Sequence, residues 1–190
     1  KTIAFWMRSN SNTGNRIIAD IGGSDDGLAL RLDANLLYAG VASNNVRSNF
    51  SVAYTSTAWN HIALVYSGNT LRLYVNGAQV AANTSLSFTS VTSTSNGSRI
   101  GTNNSNNAFN TGTGFFNGWI DNFSIYPTAL SQTGITNLMN NTAIPQSFAT
   151  TSVLPTSPNA PTNLVASGIS NSKIGVSWTD AAGNEDSYQL

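Results

Sequence analysis

Few residues in this chain could do acid–base or nucleophilic chemistry. Hydrolysis of a glycosidic bond uses two carboxylates flanking the bond, one as acid and one as base or nucleophile. The only glutamate is Glu185, close to the end of the sequence. Asp25 and Asp26 adjoin each other, but they stand in the run GGSDDG (Gly22 to Gly27), where Asp and Gly are ordinary turn formers. His61 is the only histidine, and no serine or aspartate triad pattern accompanies it. With no cysteine there is no thiol nucleophile, disulfide framework or zinc knuckle. Side chains that could bind, as opposed to react, are more plentiful. A phenol or indole face can stack on a sugar ring, and asparagine amides both donate to and accept from hydroxyls. Trp6, Arg72, Tyr74 and Trp119 are predicted on strand faces opposite apolar rows, and Phe109 in a polar loop. For each aromatic the plainer expectation is packing against a loop or a second sheet.

The elements that must position these groups are strands. Trp59 to Val80 reads WNHIALVYSGNTLRLYVNGAQV, three strand-like runs joined by turn signals at Ser67-Gly68-Asn69 and Asn76-Gly77. Leu71, Leu73 and Val75 alternate with Arg72 and Tyr74, the period of a strand with one buried face. Ile62 to Tyr66 is apolar on both faces, which suits a central strand. Asn-Gly favours a two-residue hairpin turn, because both central residues take φ > 0. Lys1 to Ser9 sets Ile3, Phe5 and Met7 against Ala4, Trp6 and Arg8. Further strands are predicted over Arg16 to Ile21, Leu28 to Leu32, Leu36 to Val41 and Ser51 to Tyr54, the last after a polar loop around Asn44. Leu86, Phe88 and Val91 are candidate anchors in a Ser/Thr-rich run, and Thr102 to Gly114 (TNNSNNAFNTGTG) reads as an exposed rim loop. Gly118 to Tyr126 is a closing strand. A short helix is expected within Pro127 to Asn140, capped by Ser131, with Ile135, Leu138 and Met139 on one side.

Composition narrows the function classes. Only 8% of residues are charged and the formal net charge is zero, which argues against nucleic acid and against a polybasic membrane contact. The low charge does not signal disorder, since 40% of residues are hydrophobic and they alternate. No run of 18 or more apolar residues calls for membrane insertion. The absence of cysteine fits a bacterial surface or secreted protein. Six N-x-[ST] sequons, from Asn49 to Asn140, arise by chance in so Asn- and Ser/Thr-rich a chain.

The pattern from Trp59 to Gly77, with SRIG at Ser98 to Gly101 and FNGWIDNFSIYPTALS from Phe116 to Ser131, resembles laminin G-like domains of the concanavalin A-like lectin/glucanase fold. The resemblance runs from about Thr2 to Asn140 and implies an all-β, antiparallel jelly-roll β-sandwich. The glucanase-type E-x-D-x-x-E strand motif is missing, so no enzyme activity is expected of this chain. The resemblance also implies a structural calcium held by Asp121 of the closing strand. Asp25 and Asp26 are weaker metal candidates. Similar domains carry a further strand before Lys1 that pairs with the closing strand around Ile120 to Ile125; without it, that edge is open to strand addition.

Residues 141–160 gather prolines in a Ser/Thr background and read as a linker. From Pro161 the chain resembles the first strands of a fibronectin type III domain: Pro161 and Leu164 in the first, Ile174, Val176 and Trp178 facing inward in the second, Tyr188 opening a third. Thirty residues make only a partial immunoglobulin-like domain. The expected organisation is a sandwich over 1–140 lacking its first strand, a linker over 141–160, and an incomplete fibronectin type III domain over 161–190. The expected role is non-catalytic binding or adhesion, to carbohydrate or a cell-surface glycan, within a large multidomain secreted or surface protein. The rival roles are a subunit of an extracellular fibre assembled by strand exchange, hence a homo-oligomer, and an accessory module of a polysaccharide-degrading enzyme.

Overall fold

A computed structural model describes residues 1–23, 25–91, 97–102, 107–111, 114–141, 162–170 and 172–179. The chain divides into two compact units, Lys1–Pro145 and Gln146–Leu190. The first unit holds two antiparallel-dominated sheets. One has the order β11-β1-β6-β7-β8, built from β11 (Gly118–Tyr126), β1 (Thr2–Ser9), β6 (Asn60–Ser67), β7 (Thr70–Val75) and β8 (Ala78–Asn83). The other has the order β10-β2-β3-β4-β5, with β2 (Arg16–Ile21), β3 (Gly27–Asp33), β4 (Leu36–Ser43) and β5 (Val46–Ala53). Two short strands, β9 (Arg99–Ile100) antiparallel and β10 (Gly114–Phe115) parallel, both pair with β2. This is the all-β jelly-roll sandwich that the sequence implies.

Alternation fills the space between the sheets. Ile3, Phe5 and Met7 of β1, Ile62 and Leu64 of β6, and Leu71 and Leu73 of β7 meet Leu28, Leu30, Leu32, Leu37 and Val41 of the second sheet, all fully buried. Leu86 joins this core, and Phe88 and Val91 pack against it. The hairpins that fix the register use left-handed residues, among them Ala34 and Asn35, Asn44 and Asn45, and Asn76 with Gly77. The Asn44-Asn45 turn leads straight into β5 at Val46, so the strand predicted to start at Ser51 starts five residues earlier. Its exposed, polar-rich pattern hides it from a reading based on buried apolar faces.

Both sheets also have covered outer faces. The helix α1 (Gln132–Asn141) lies on the first: Ile135 is fully buried against Ala4, Ala63, Val65 and Tyr74, with Leu130 and Leu138 beside it. Ser131 caps it as expected, its Oγ accepting from the Gly134 amide at 3.1 Å. Thr2 Oγ1 accepts from the Leu130 amide and donates to the Thr128 carbonyl, both at 2.9 Å, tying the helix approach to β1.

On the second sheet the cover is a loop. Asn107 and Ala108 are completely buried, and Phe109 packs against Ala29 and Ala42. Within the predicted rim loop, Asn107 to Phe109 are therefore folded down, a correction, while Asn110 stays exposed; polar composition cannot show that a small-residue floor awaits them. Arg31 lies 4.1 Å from the Tyr38 ring centroid and 5.0 Å from that of Phe109. Asp20 is the outlier here. It sits on β2 opposite Ala29, has no exposed surface, and neither carboxylate oxygen has a hydrogen-bond partner among the described residues. Burial pushes its carboxyl up to about 6, against the opposing pull of Arg99.

The second unit's described residues form one hairpin, β12 (Thr162–Ser170) against β13 (Lys173–Thr179). Leu164, Ile174 and Val176 are exposed in it and Trp178 is half-buried. Residues 142–161, with most of the expected linker and Pro161, and residues 180–190, with Tyr188, lie outside the described residues.

Two outcomes are expected. A Cβ at Gly40 would come within 2.7 Å of the Phe109 ring, so Gly40→Ala must displace that ring and cost about 1–3 kcal/mol, read from the urea midpoint. Asp20 binds its proton more tightly folded than unfolded, so it favours folding in acid and loses that contribution as pH rises from about 4 through about 6. Asp20→Asn should accordingly flatten the stability–pH curve in that window, removing a pH-dependent loss of at most about 2–3 kcal/mol. An unchanged pH slope in the variant, measured by denaturant titration at several pH values, would count against this account of Asp20.

Candidate functional site

The predicted binding residues separate once the strands are in place. Tyr74 does lie on the outer face of β7, but α1 buries it to 4% exposure, and its Oη donates to Gln79 Oε1 at 3.4 Å. Trp6 is equally buried, its indole edge-on to His61 with ring centroids 5.4 Å apart. Neither ring face is open for stacking, which corrects the expectation of exposed platforms at these two positions. Arg72 is half-buried opposite Val65, and Phe109 belongs to the other sheet, against Tyr38 and Arg31. Trp119 alone of the four aromatics presents a substantial open surface, at 41% exposure.

Register builds what surrounds Trp119. Across the β1–β11 ladder Trp6 stands opposite Asp121, Met7 opposite Ile120, Arg8 opposite Trp119 and Ser9 opposite Gly118. Directly opposed residues share a face. Met7 faces the core, so Arg8 and Trp119 share the outer face, past the end that α1 covers. The Arg8 guanidinium lies over the Trp119 ring, 4.9 Å from its centroid. It makes no hydrogen bond or ion pair among the described residues, and neither does the Trp119 indole N–H. Just beyond, the Asn10 amide donates to the Asn117 carbonyl at 2.9 Å and Asn10 Nδ2 donates to Asn117 Oδ1 at 3.1 Å. Gly118 permits this close pairing: a Cβ there would collide with the Arg8 carbonyl oxygen and the Phe116 ring. Sequence reasoning placed Arg8 on the right face but did not single it out; the signal was its parity with Trp6 in β1.

Asp121 has a local task. Between Ala4 and Trp6 the ladder slips, so that Asn122 and Phe123 stand against the single residue Phe5. Asn122 takes φ 52°, and its amide donates to Asp121 Oδ1 at 2.6 Å. This bulge changes the parity of β11, which lets Phe123 stack on Phe5 at 5.3 Å while Ile120 also points inward. A calcium shell needs six to eight oxygens. Around Asp121 the described residues bring together no group of three acidic, histidine or cysteine side chains, and one of its oxygens is already engaged. Asp25 sits 3.8 Å from Arg47, and Asp26 Oδ1 accepts from the Asn44 amide at 3.0 Å, which is the work of turn residues.

His61 is buried and its backbone, more than its ring, is engaged. Its amide donates to Asn76 Oδ1 at 2.9 Å, and Asn76 Nδ2 donates to Asn60 Oδ1 at 2.8 Å, pinning the Asn76-Gly77 turn to β6. Burial lowers the tendency of the ring to take a proton. Glu185 lies outside the described residues.

The concanavalin A-like lectin/glucanases superfamily profile, of laminin G-like type, matches residues 1–136. No curated protein matches the chain. Among solved structures, a mutant of the HCR D/C of VPI 5995 matches with TM-score 0.55 and 20% identity, covering 73% of this chain and 35% of that one. The binding domain of botulinum neurotoxin DC in complex with SialylT matches at TM-score 0.54 and 19% identity, with the same two coverages, 73% and 35%. A structure of botulinum neurotoxin type C, whose cell entry is described as dependent on interaction with two ganglioside molecules, matches at TM-score 0.52 and 18% identity, again over 73% and 35%. Identities this low show a shared fold, and the chain spans only 35% of the length of these solved chains. By its profile match over residues 1–136, the chain belongs to the laminin G-like family of the concanavalin A-like lectin/glucanases superfamily.

Proposed function

We propose that the first unit is a non-catalytic glycan-binding module of an extracellular or cell-surface protein. The observation that carries this reading is Trp119: an exposed indole on a paired strand, flanked by Arg8 and by the Asn10–Asn117 amide pair. The Arg8 guanidinium covers part of the ring, and the exposed remainder of the indole offers apolar surface to a sugar, while amides match hydroxyls in both donor and acceptor senses. Platforms on paired strands hold their geometry better than loops do. Membership of a lectin-containing superfamily supports it, as do fold neighbours that include a SialylT complex and a neurotoxin whose cell entry depends on ganglioside interaction. An accessory role beside a polysaccharide-degrading domain is one form of the same reading. We read the β12–β13 hairpin as the opening of a fibronectin type III domain that follows the binding module in the sequence.

A second reading, strand exchange into a fibre, is favoured by one feature. The outer edge of β11 has no partner strand among the described residues, and Ile125 beside it is 48% exposed. Unpaired edges with apolar side chains template strand addition. The native mass by light scattering separates the two, a monomer removing the fibre and a large ordered assembly supporting it.

For the glycan module, Trp119→Ala should weaken binding in a panel of soluble polysaccharides and oligosaccharides by at least about tenfold, a loss of about 1.4 kcal/mol. The thermal midpoint should move little, since the ring is outside the core. Affinity electrophoresis and calorimetry check this. Failure of the unaltered chain to bind any glycan in the panel would sink the proposal.

A further inference from the structure

Arg8 sets the class of glycan. We infer that the Trp119 platform takes a saccharide bearing a carboxylate, with the Arg8 guanidinium receiving the acid and the indole receiving the ring. The inference rests on the glycan reading of the same site and goes one step past it.

A guanidinium is a planar fork of five N–H donors whose geometry matches a carboxylate in a two-point contact. Of the five other described arginines in this unit, Arg72 and Arg99 also make no hydrogen bond or ion pair among the described residues, but neither lies over an aromatic ring as Arg8 does, and the other three are occupied. Arg31 Nη1 donates to Asn15 Oδ1 at 3.1 Å, Arg16 donates to the Thr13 and Phe115 carbonyls, and Arg47 faces Asp25 and Asn45. Arg8 has only the Trp119 ring, at 4.9 Å, and none of its donors is engaged among the described residues. Packing against an indole holds the side chain in place without consuming a single N–H. It is half-buried, so part of its hydration is already lost. A guanidinium held in this state is ready for an anion. The anion must also offer a ring or hydroxyls to the neighbouring Trp119 and the Asn10–Asn117 pair, which selects a sugar acid over a bare ion.

Asp121 works in the opposite direction. It lies one pair along the ladder on the same face, diagonal to Arg8, and forms no ion pair with it. Diagonal neighbours in a sheet stand roughly 7–8 Å apart. One of its oxygens is engaged by the Asn122 amide, yet its charge still repels an incoming carboxylate. Removing that charge is therefore a gain-of-binding test, which a merely structural site would not show.

The experiment uses the full 190-residue chain and four immobilised probes: sialyllactose and its methyl ester, oligogalacturonate and its methyl ester. Each pair differs by its carboxylate, and the two pairs separate a sialic acid source from a uronic acid source. Binding of at least one acid should exceed its neutral partner by roughly tenfold at low salt, and salt should erode the difference. Arg8→Gln should abolish the preference for the acid over its neutral partner. Arg8→Lys should restore only part of it, because an ammonium is a point charge. Asp121→Asn should tighten the acid by a few fold. Equal binding of acid and neutral probes, unaffected by Arg8→Gln, would overturn the inference and leave the glycan reading standing. Binding to none of the four would also overturn it, and the broader polysaccharide panel then decides the parent reading separately. Loss of acid binding in Asp121→Asn, with EDTA doing the same to the unaltered chain, would assign the carboxylate to a metal and overturn the role given to Arg8.

Discussion

Strand β1 has two faces and no freedom to exchange them, and the arrangement of the sandwich around it follows from that. Ile3, Phe5 and Met7 must enter the core, because a one-residue slip would bury Arg8 and turn three large apolar side chains out of it. Burying each of those side chains is worth about 1.5–3 kcal/mol, so the register is held by several such terms at once. Both neighbours of β1 then take their phase from it: β6 through Phe5 opposite Ile62, β11 through Met7 opposite Ile120. The binding face is a by-product of this lock. Once Met7 is in, Arg8 is out, and Trp119 is the residue that has to meet it.

The outer faces show how a fold with two exposed sheet surfaces limits what it leaves open. On the first sheet the residues under α1 are small where the helix must approach, Ala4 and Ala63, with Tyr74 filling the margin. On the second, Ala29, Gly40 and Ala42 make the floor on which Phe109 lies. Neither cover reaches the Arg8–Trp119 end. The bulge at Asn122–Phe123 belongs to the same economy of surface. It turns Phe123 inward onto Phe5 without turning Ile120 outward, so β11 contributes to the core on both sides of the slip and keeps Trp119 on the far face.

Most strands and the burial of alternate residues were legible because period-two alternation is a direct imprint of a buried face. The helix and its Ser131 cap were legible for the same kind of reason. What the alternation could not tell is whether the other face meets water or a second layer. Trp6 and Tyr74 share their face with Arg8 and Arg72, yet only the cover supplied by other parts of the chain decides their exposure. The Asn-rich run after Gly101 misled through composition: Asn107 and Ala108 are wholly buried, with the Asn107 side chain bonded to the Thr111 carbonyl and the Phe109 amide. Asp20, an acid inside the strand RIIADI, was a visible anomaly whose meaning depended on having no partner, and that is a fact of three dimensions.

Charge balance constrains how such a site would operate. Eight basic and eight acidic residues cancel, and they make up 8% of the chain, so no broad field gathers ligand from a distance. Recognition must come from contacts within a Debye length, about 8 Å at physiological ionic strength. An arginine exposed in water gives little under these conditions, because solvent competes for every donor. One held over an indole and partly stripped of water gives more, since the cost of ordering and desolvating it has been met in folding. That difference separates Arg8 from the other exposed charges on this surface, and it makes the Arg8–Trp119 pair, more than the Asn-rich loops, the part of the molecule equipped for recognition.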